Sequence, residues 1–303
     1  MSVRVHPWSP VSPCGPSCLD HASVPTVARP RQLIRLMWTF AVLVLLLLAT
    51  PAMTLLGGQA AARVLRRLLG LLLRALGVRL LVRGADELAE AARAGRGALV
   101  VTNHISWLDS LAVNAVRPMP SVAKKEIASW PVLGRLVARS GGIFLDRHRL
   151  SQLPATVARL TRALRDGAMV NVTPEGTTWC GLASGRFRPA TFQAAIDGGV
   201  PVRPIALRYR LADGRDTTSA AFLHQESLLT SIRRVASVRG LVLELWVCPE
   251  IAPGRAAHRR ELAHLAETAI HTTLTAARTL TRTATTPPTR SASGHVTAAA
   301  AAR

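Results

Sequence analysis

The apolar positions of this chain fall into three successive patterns, each predicting a different element. From Leu36 to Gly58 there is no charged residue, and Phe40 to Leu48 is unbroken apolar sequence. At ~1.5 Å of rise per residue, a helix here reaches roughly 30–35 Å, about one hydrocarbon core. The pattern predicts a membrane-inserted helix over 33–58. Pro51 marks a kink or an end, so shallow or re-entrant insertion competes with a full span. A cleaved signal peptide fits less well, because the run starts late and exceeds the usual apolar core of such peptides.

Over residues 59–77 the pattern becomes amphipathic. Arg63, Arg66, Arg67 and Arg74 fall on one side of a helical wheel, with Leu65, Leu68, Leu69, Leu72 and Leu76 on the other. Such a helix suits a membrane interface, and its leucines equally suit the core of a domain. From 78 to 252 short apolar runs alternate with helical periodicity. Strands are expected at 79–83, 97–102, 141–145, 168–172, 202–209 and 241–247, and helices at 107–115, 129–139, 151–166 and 189–198. This alternation predicts an α/β domain built on a single mixed, largely parallel sheet flanked by helices. A C-terminal helix follows over 255–278. Residues 1–30 are Pro/Ser-rich and 279–303 are Ala/Thr/Pro-rich. Neither shows periodicity, and both read as disordered, the second as a basic tail.

Composition narrows the partners. The chain is 49% hydrophobic and 18% charged, which argues against global disorder and toward membrane contact. Its net charge of +21 fits either nucleic acid or an anionic membrane surface. Aromatic residues make up 4%, with Tyr209 the single tyrosine, and no basic region is interleaved with stacking rings. The positive charges are spread over leader, helices and tail, so membrane lipids are the expected partner and nucleic acid is not. Lys124 and Lys125 are the only lysines in an arginine-rich chain. An ammonium and a guanidinium are not interchangeable in a tight anion site, which singles the pair out. The four cysteines, Cys14, Cys18, Cys180 and Cys248, include no C-x-x-C pair. They read as free thiols in a reducing compartment, with a Cys14–Cys18 link as the alternative; no metal site is expected.

The chemistry concentrates in Asn103-His104-Ile105-Ser106-Trp107-Leu108-Asp109, directly after the apolar run Ala98–Val101. A histidine at a strand end with a carboxylate five residues on has the parts of a general base and its orienting acid. The competing reading is a helix start, since Ser106-x-x-Asp109 resembles a capping box. Four more segments follow. They are Ala123-Lys124-Lys125-Glu126-Ile127 with Trp130-Pro131 and Gly134, Gly142-Ile143-Phe144-Leu145-Asp146-Arg147, Pro174-Glu175-Gly176-Thr177, and Val200-Pro201-Val202-Arg203-Pro204. Lys124 and Arg147 can clamp a phosphate. Backbone N–H groups after Pro174 can form an anion-binding nest. No serine or cysteine stands beside a base as a nucleophile, so direct transfer is expected.

In this order the segments resemble the glycerolipid acyltransferases, and most closely the bacterial 1-acyl-glycerol-3-phosphate acyltransferases, over roughly residues 80–250. The resemblance implies transfer of a fatty acyl group from acyl-CoA or acyl-carrier protein to the hydroxyl of a lysophospholipid, giving phosphatidic acid. It makes His104 the general base and Asp109 its partner. Arg147, Glu175, Gly176 and Thr177 would hold the acceptor's glycerol phosphate, with Lys124 helping. It implies no cofactor beyond the thioester co-substrate, and a place at the cell membrane with the catalytic domain facing the cytoplasm. The chain departs from the family pattern at Thr173, where an aromatic is frequent, and at Thr178, where an arginine often follows the glycine turn. It departs again at Phe187-Arg188-Pro189-Ala190, where the family carries F-K-x-G. Relatives that acylate other lyso-lipids, such as lyso-ornithine lipid, also carry a threonine after the turn, so such an acceptor is the alternative. A catalytically inactive basic membrane-binding protein is a further alternative, which the intact His104, Asp109, Arg147 and Glu175 oppose.

Overall fold

The computed structural model describes residues 10–20, 23–93, 95–129, 134, 137–138, 141–146, 149–223 and 226–285. Its strands are β1 (Arg79–Arg83), β2 (Ala98–Thr102), β3 (Val122–Lys124), β4 (Ile143–Leu145), β5 (Met169–Val172), β6 (Val202–Leu211) and β7 (Leu241–Val247). Five of them form one sheet in the order β1-β7-β6-β2-β5. Strands β6, β2 and β5 are parallel, β7 is antiparallel to β6, and β1 is parallel to β7. The mixed, largely parallel sheet expected from the alternation is therefore present. The parallel pair β3–β4 adjoins the β5 edge through a bridge between Ser121 and Asn171.

The helices are α1 (Arg29–Leu56), α2 (Gly58–Ala75), α3 (Ala85–Arg93), α4 (Leu108–Val116), α5 (Leu153–Arg165), α6 (Phe192–Gly198), α7 (Leu228–Ser237) and α8 (Arg259–Thr285). Strand β2 shows why they cover both faces of the sheet. All five of its residues are buried, so consecutive side chains need an apolar layer on each side. Val100 joins a core with Leu73 of α2, Leu108 and Val113 of α4, and Val235 of α7. Leu99 and Val101 join a second core with Leu160 and Leu164 of α5, Phe192 of α6, and Ala266 and Ile270 of α8. The helix expected over 129–139 falls mostly outside the described residues. The C-terminal helix continues past 278 to Thr285, and the rest of the tail lies outside the described residues.

Helix α2 packs its leucines on the domain and leaves its arginines exposed. Leu69, Leu72 and Leu73 are buried, as is Leu76 just beyond it, while Arg63, Arg66, Arg67 and Arg74 are exposed. Each buried leucine contributes about 1.5–3 kcal/mol, so α2 is part of the domain's core. Helix α1 packs on it through Leu46 and Met53. Much of the rest of α1 is apolar and exposed, with Leu33, Met37, Trp38, Phe40, Leu48 and Leu55 open to the surroundings. Its segment Arg29–Met53, whose most apolar 18 residues have a mean hydropathy of 2.3, is long and apolar enough to cross a membrane. An apolar surface of this size marks a contact face.

The leader differs from the expectation of disorder. Residues 10–20 and 23–28 lie against the domain, with Cys14 and Val27 buried. The Val27 N–H donates to the Ser237 carbonyl at 2.8 Å, and the Arg239 N–H donates to the Pro25 carbonyl at 2.7 Å. Composition alone misreads such a segment, because its order comes from partners some two hundred residues downstream.

Candidate active site

The site forms just past the C-terminal ends of β2 and β5, where parallel sheets gather ligands. Asn103 sets the geometry at the end of β2. Its buried side-chain amide donates to the Leu207 carbonyl at 2.9 Å and accepts from the Leu207 N–H at 2.8 Å. This fixes the exit of β2 against the middle of β6. The chain then turns, and His104 Nδ1 faces Asp109 Oδ2 at 3.0 Å. The histidine side chain is 21% exposed and the aspartate 1%.

Asp109 accepts four hydrogen bonds. Its Oδ2 takes the His104 ring N–H, the Ile105 N–H at 2.7 Å and the Ser106 N–H at 2.8 Å; its Oδ1 takes the Tyr209 hydroxyl at 2.6 Å. The carboxylate therefore holds the backbone turn ahead of α4 and the His104 ring at once. With Nδ1 donating, Nε2 carries the lone pair. Burial, and after it the charge of Asp109 and the hydrogen bond to it, raises the Tyr209 hydroxyl well above its ordinary pKa, so it stays a donor.

Glu175 braces the same turn from β5. Its Oε2 accepts the His104 N–H at 2.6 Å and its Oε1 accepts the Gly185 N–H at 3.1 Å. Burial pushes its carboxyl from 4.5 up to about 8, against these two donors and aided by the charges of Asp109 and Glu267. The adjacent Gly176 has φ +76 and its N–H closes the turn on the Thr173 carbonyl at 3.1 Å. A β-carbon there would be strained and would meet Pro10 of the leader at 2.8 Å. The Trp179 N–H returns to the His104 carbonyl at 2.8 Å, and the Thr178 hydroxyl bonds the Phe222 carbonyl.

A cleft of about 210 Å³ opens at His104, lined also by Asn103, Ile105, Glu175, Trp179, Gly181 and Ser184, and by His271, Leu274 and Arg278 of α8. Of the expected site residues the structure thus unites His104, Asp109 and Glu175. Gly176 and Thr177 stand in the adjoining turn but outside the lining. Lys124, exposed on β3, is not in the lining either, and Arg147 lies outside the described residues.

Several residues of the site were missed in the sequence. Arg278 brings a guanidinium to the cleft, paired with Asp216 at 2.7 Å and bonded to the Gly181 carbonyl at 3.2 Å. Its helix is held there by buried Arg208, which donates to Thr281 at 2.8 Å and to the Ala277 carbonyl at 3.2 Å. Tyr209 likewise acts from β6. Neither carries a local spacing signal, since each meets its partner across about a hundred residues or in a different element. A possible metal-holding group, the sulfurs of Cys14, Cys18 and Cys180, lies beside the same loop, all within 4.8 Å of one another.

An acyltransferase family model matches residues 79–208, the segment that carries β1 to β6 and the His104 turn. A lyso-ornithine lipid O-acyltransferase of Pseudomonas aeruginosa is 33% identical over 195 residues, covering 61% of this chain and 72% of that protein. The chain belongs to the acyltransferase family. A 1-acyl-sn-glycerol-3-phosphate acyltransferase of Neisseria gonorrhoeae is 37% identical over 153 residues, half of this chain and 60% of that relative. The acyltransferase fold is also seen in the crystal structure of the 1-acyl-sn-glycerophosphate (LPA) acyltransferase PlsC from Thermotoga maritima. That chain aligns with a TM-score of 0.63 at 17% identity, covering 82% of this chain and 95% of its own.

Proposed function

We propose that this chain is a membrane-bound O-acyltransferase that moves a fatty acyl group from acyl-CoA or acyl-carrier protein to 1-acyl-glycerol-3-phosphate, forming phosphatidic acid. The observation that carries the reading is the His104–Asp109 pair at the mouth of the cleft, with Nε2 as the basic nitrogen. The acceptor hydroxyl gives its proton to Nε2 as its oxygen attacks the thioester carbonyl carbon. Asp109 stabilises the imidazolium that forms. The oxyanion needs donors, for which backbone N–H groups of the His104 and Gly176 turns are the candidates. The tetrahedral intermediate then expels the thiolate, which takes the proton from the imidazolium. Neither a covalent acyl-enzyme nor a bound cofactor enters this sequence.

The acceptor's phosphate is assigned to Arg147, with Lys124 as a second cation and the turn of Glu175, Gly176 and Thr177 beside it. The apolar face of α1 keeps the enzyme at the bilayer where both acyl chains reside, on the cytoplasmic side that supplies the thioester. A second reading, a lyso-ornithine lipid acceptor, is favoured by Thr178. Its hydroxyl is committed to the Phe222 carbonyl, so this position offers the acceptor no cation. Membrane fractions containing the full chain should be assayed with a panel of lyso-lipids and both thioester donors. Preference for lysophosphatidic acid supports the first reading, preference for lyso-ornithine lipid the second, and no transfer to any lyso-lipid refutes both.

A further inference from the structure

Three of the four cysteines converge on one point. Cys14 and Cys18 come from the leader and Cys180 from the loop that follows the Glu175 turn, yet their sulfurs all lie within 4.8 Å of one another. Local structure prepares each side. A 3-10 turn over Pro16–Cys18, closed by the Cys18 N–H on the Gly15 carbonyl at 2.9 Å, folds the leader back so that both its sulfurs face the loop. On the loop, Gly181 takes φ +90, and the chain turns so that the Ala183 N–H points at Cys180 Sγ at 3.4 Å. A backbone donor aimed at a sulfur is the kind of outer-shell hydrogen bond that orients a metal-bound thiolate. Cys14 and Cys180 are buried in the core and Cys18 is partly buried.

We propose that Cys14, Cys18 and Cys180 bind one zinc ion. Three thiolates form a soft donor set that selects zinc over calcium or magnesium. With Zn–S bonds of about 2.3 Å, a tetrahedral centre separates its sulfurs by about 3.8 Å, a small contraction from the spacing here. The fourth position is left to water or a small anion. The three thiols release their protons as the three Zn–S bonds form, and nothing is oxidised or reduced. The ion is structural. It ties the leader to the loop whose Trp179 N–H holds the His104 carbonyl and, next to it, lays Pro10 on Gly176.

The test uses the full chain, purified in detergent under reductant. Metal analysis should find one zinc per chain. Cobalt(II) added to the metal-free protein should give thiolate-to-cobalt charge-transfer absorption, displaced by stoichiometric zinc. Cys14→Ser, Cys18→Ser and Cys180→Ser should each weaken zinc by more than the ~10–100-fold typical of losing an outer partner. Cys248→Ser should keep the metal, because that thiol sits elsewhere, 3.2 Å from Thr273. Circular dichroism of each variant separates loss of metal from loss of fold, and the cobalt spectrum of the unaltered chain stands independently of the variants. Reduced, folded protein that binds neither zinc nor cobalt overturns the proposal, whether its thiols prove free or had been isolated as a disulfide. Equal metal loss in Cys248→Ser overturns it as well.

Discussion

Replacing Asp109 with asparagine separates two contributions that the carboxylate makes together. In the native site Oδ2 faces three donors, the His104 ring N–H and the N–H groups of Ile105 and Ser106. An asparagine that turned its NH2 toward them would set donor against donor three times, and leaving each such group unsatisfied costs about 1–3 kcal/mol. The amide should therefore keep its oxygen on that side and present NH2 to Tyr209, whose hydroxyl can accept as well as donate. The His104 tautomer is then preserved, and only the charge opposite the imidazolium is lost. A hydrogen bond to a charged group is worth about 1.5–3 kcal/mol, so kcat/KM should fall by roughly 10- to 150-fold. That is shallower than a wrong tautomer would give. The assay is acyl transfer to lysophosphatidic acid across pH 6–9, with Asp109→Asn and His104→Ala measured side by side. A loss in Asp109→Asn as deep as that of His104→Ala would mean that the amide flips and inverts the imidazole. Unchanged kinetics would remove Asp109 from the chemistry.

Four further outcomes are expected. His104→Ala should lower acyl transfer by ~10²–10⁴-fold while the protein stays folded in membranes, measured as single-turnover rate and vesicle retention. Arg147→Gln should raise KM for a phosphate-bearing acceptor by about 10- to 150-fold and leave KM for the thioester nearly unchanged; equal effects on both would displace Arg147 from the phosphate. Glu175 is held protonated by burial, with its pKa raised from 4.5 to about 8, so its contribution to stability is full below 4.5 and is lost as pH rises through 8. Thermal unfolding of native protein and Glu175→Gln should show their difference shrinking across that window and levelling above it. Changing Arg63, Arg66, Arg67 and Arg74 to glutamine should weaken binding to anionic vesicles by ~1 kcal/mol per residue and flatten its salt dependence; unaltered binding would place membrane affinity in α1 alone.

Much of this architecture was legible because it rests on local periodicity. Ala98–Val101 had to be a strand buried on both faces, and the His104–Asp109 spacing named its own partner. Where elements were missed, the local signal was weak. Helix α3 is a short alanine- and glutamate-rich segment, and α7 begins at Ser227, whose hydroxyl accepts from the Thr230 N–H at 3.2 Å, without a long apolar stripe to announce it. Tyr209, Arg278, the ordered leader and the sulfur cluster were not legible, because each depends on which distant segments the sheet order brings together. Pairings such as Cys14 with Cys180, or Arg278 with Asp216, leave no trace in spacing. The converse holds for Arg203 in the Val-Pro-Val segment. It was grouped with the chemistry, but it forms ion pairs with Glu87 and Glu250 and is not among the residues lining the cleft.

The contacts of the leader also decide how the apolar helix meets lipid. Residues 25–27 precede α1 and are hydrogen-bonded to the α7–β7 junction, while α2, which follows α1, is built into the same domain. Both ends of α1 therefore belong to one compartment. A helix that crossed the bilayer would deliver its ends to opposite sides and tear one of these attachments away. For an α1 that inserts in lipid, these attachments favour entry and return within one leaflet over a span. Cleavage after α1, as at a signal peptide, would sever a segment the folded domain holds in place.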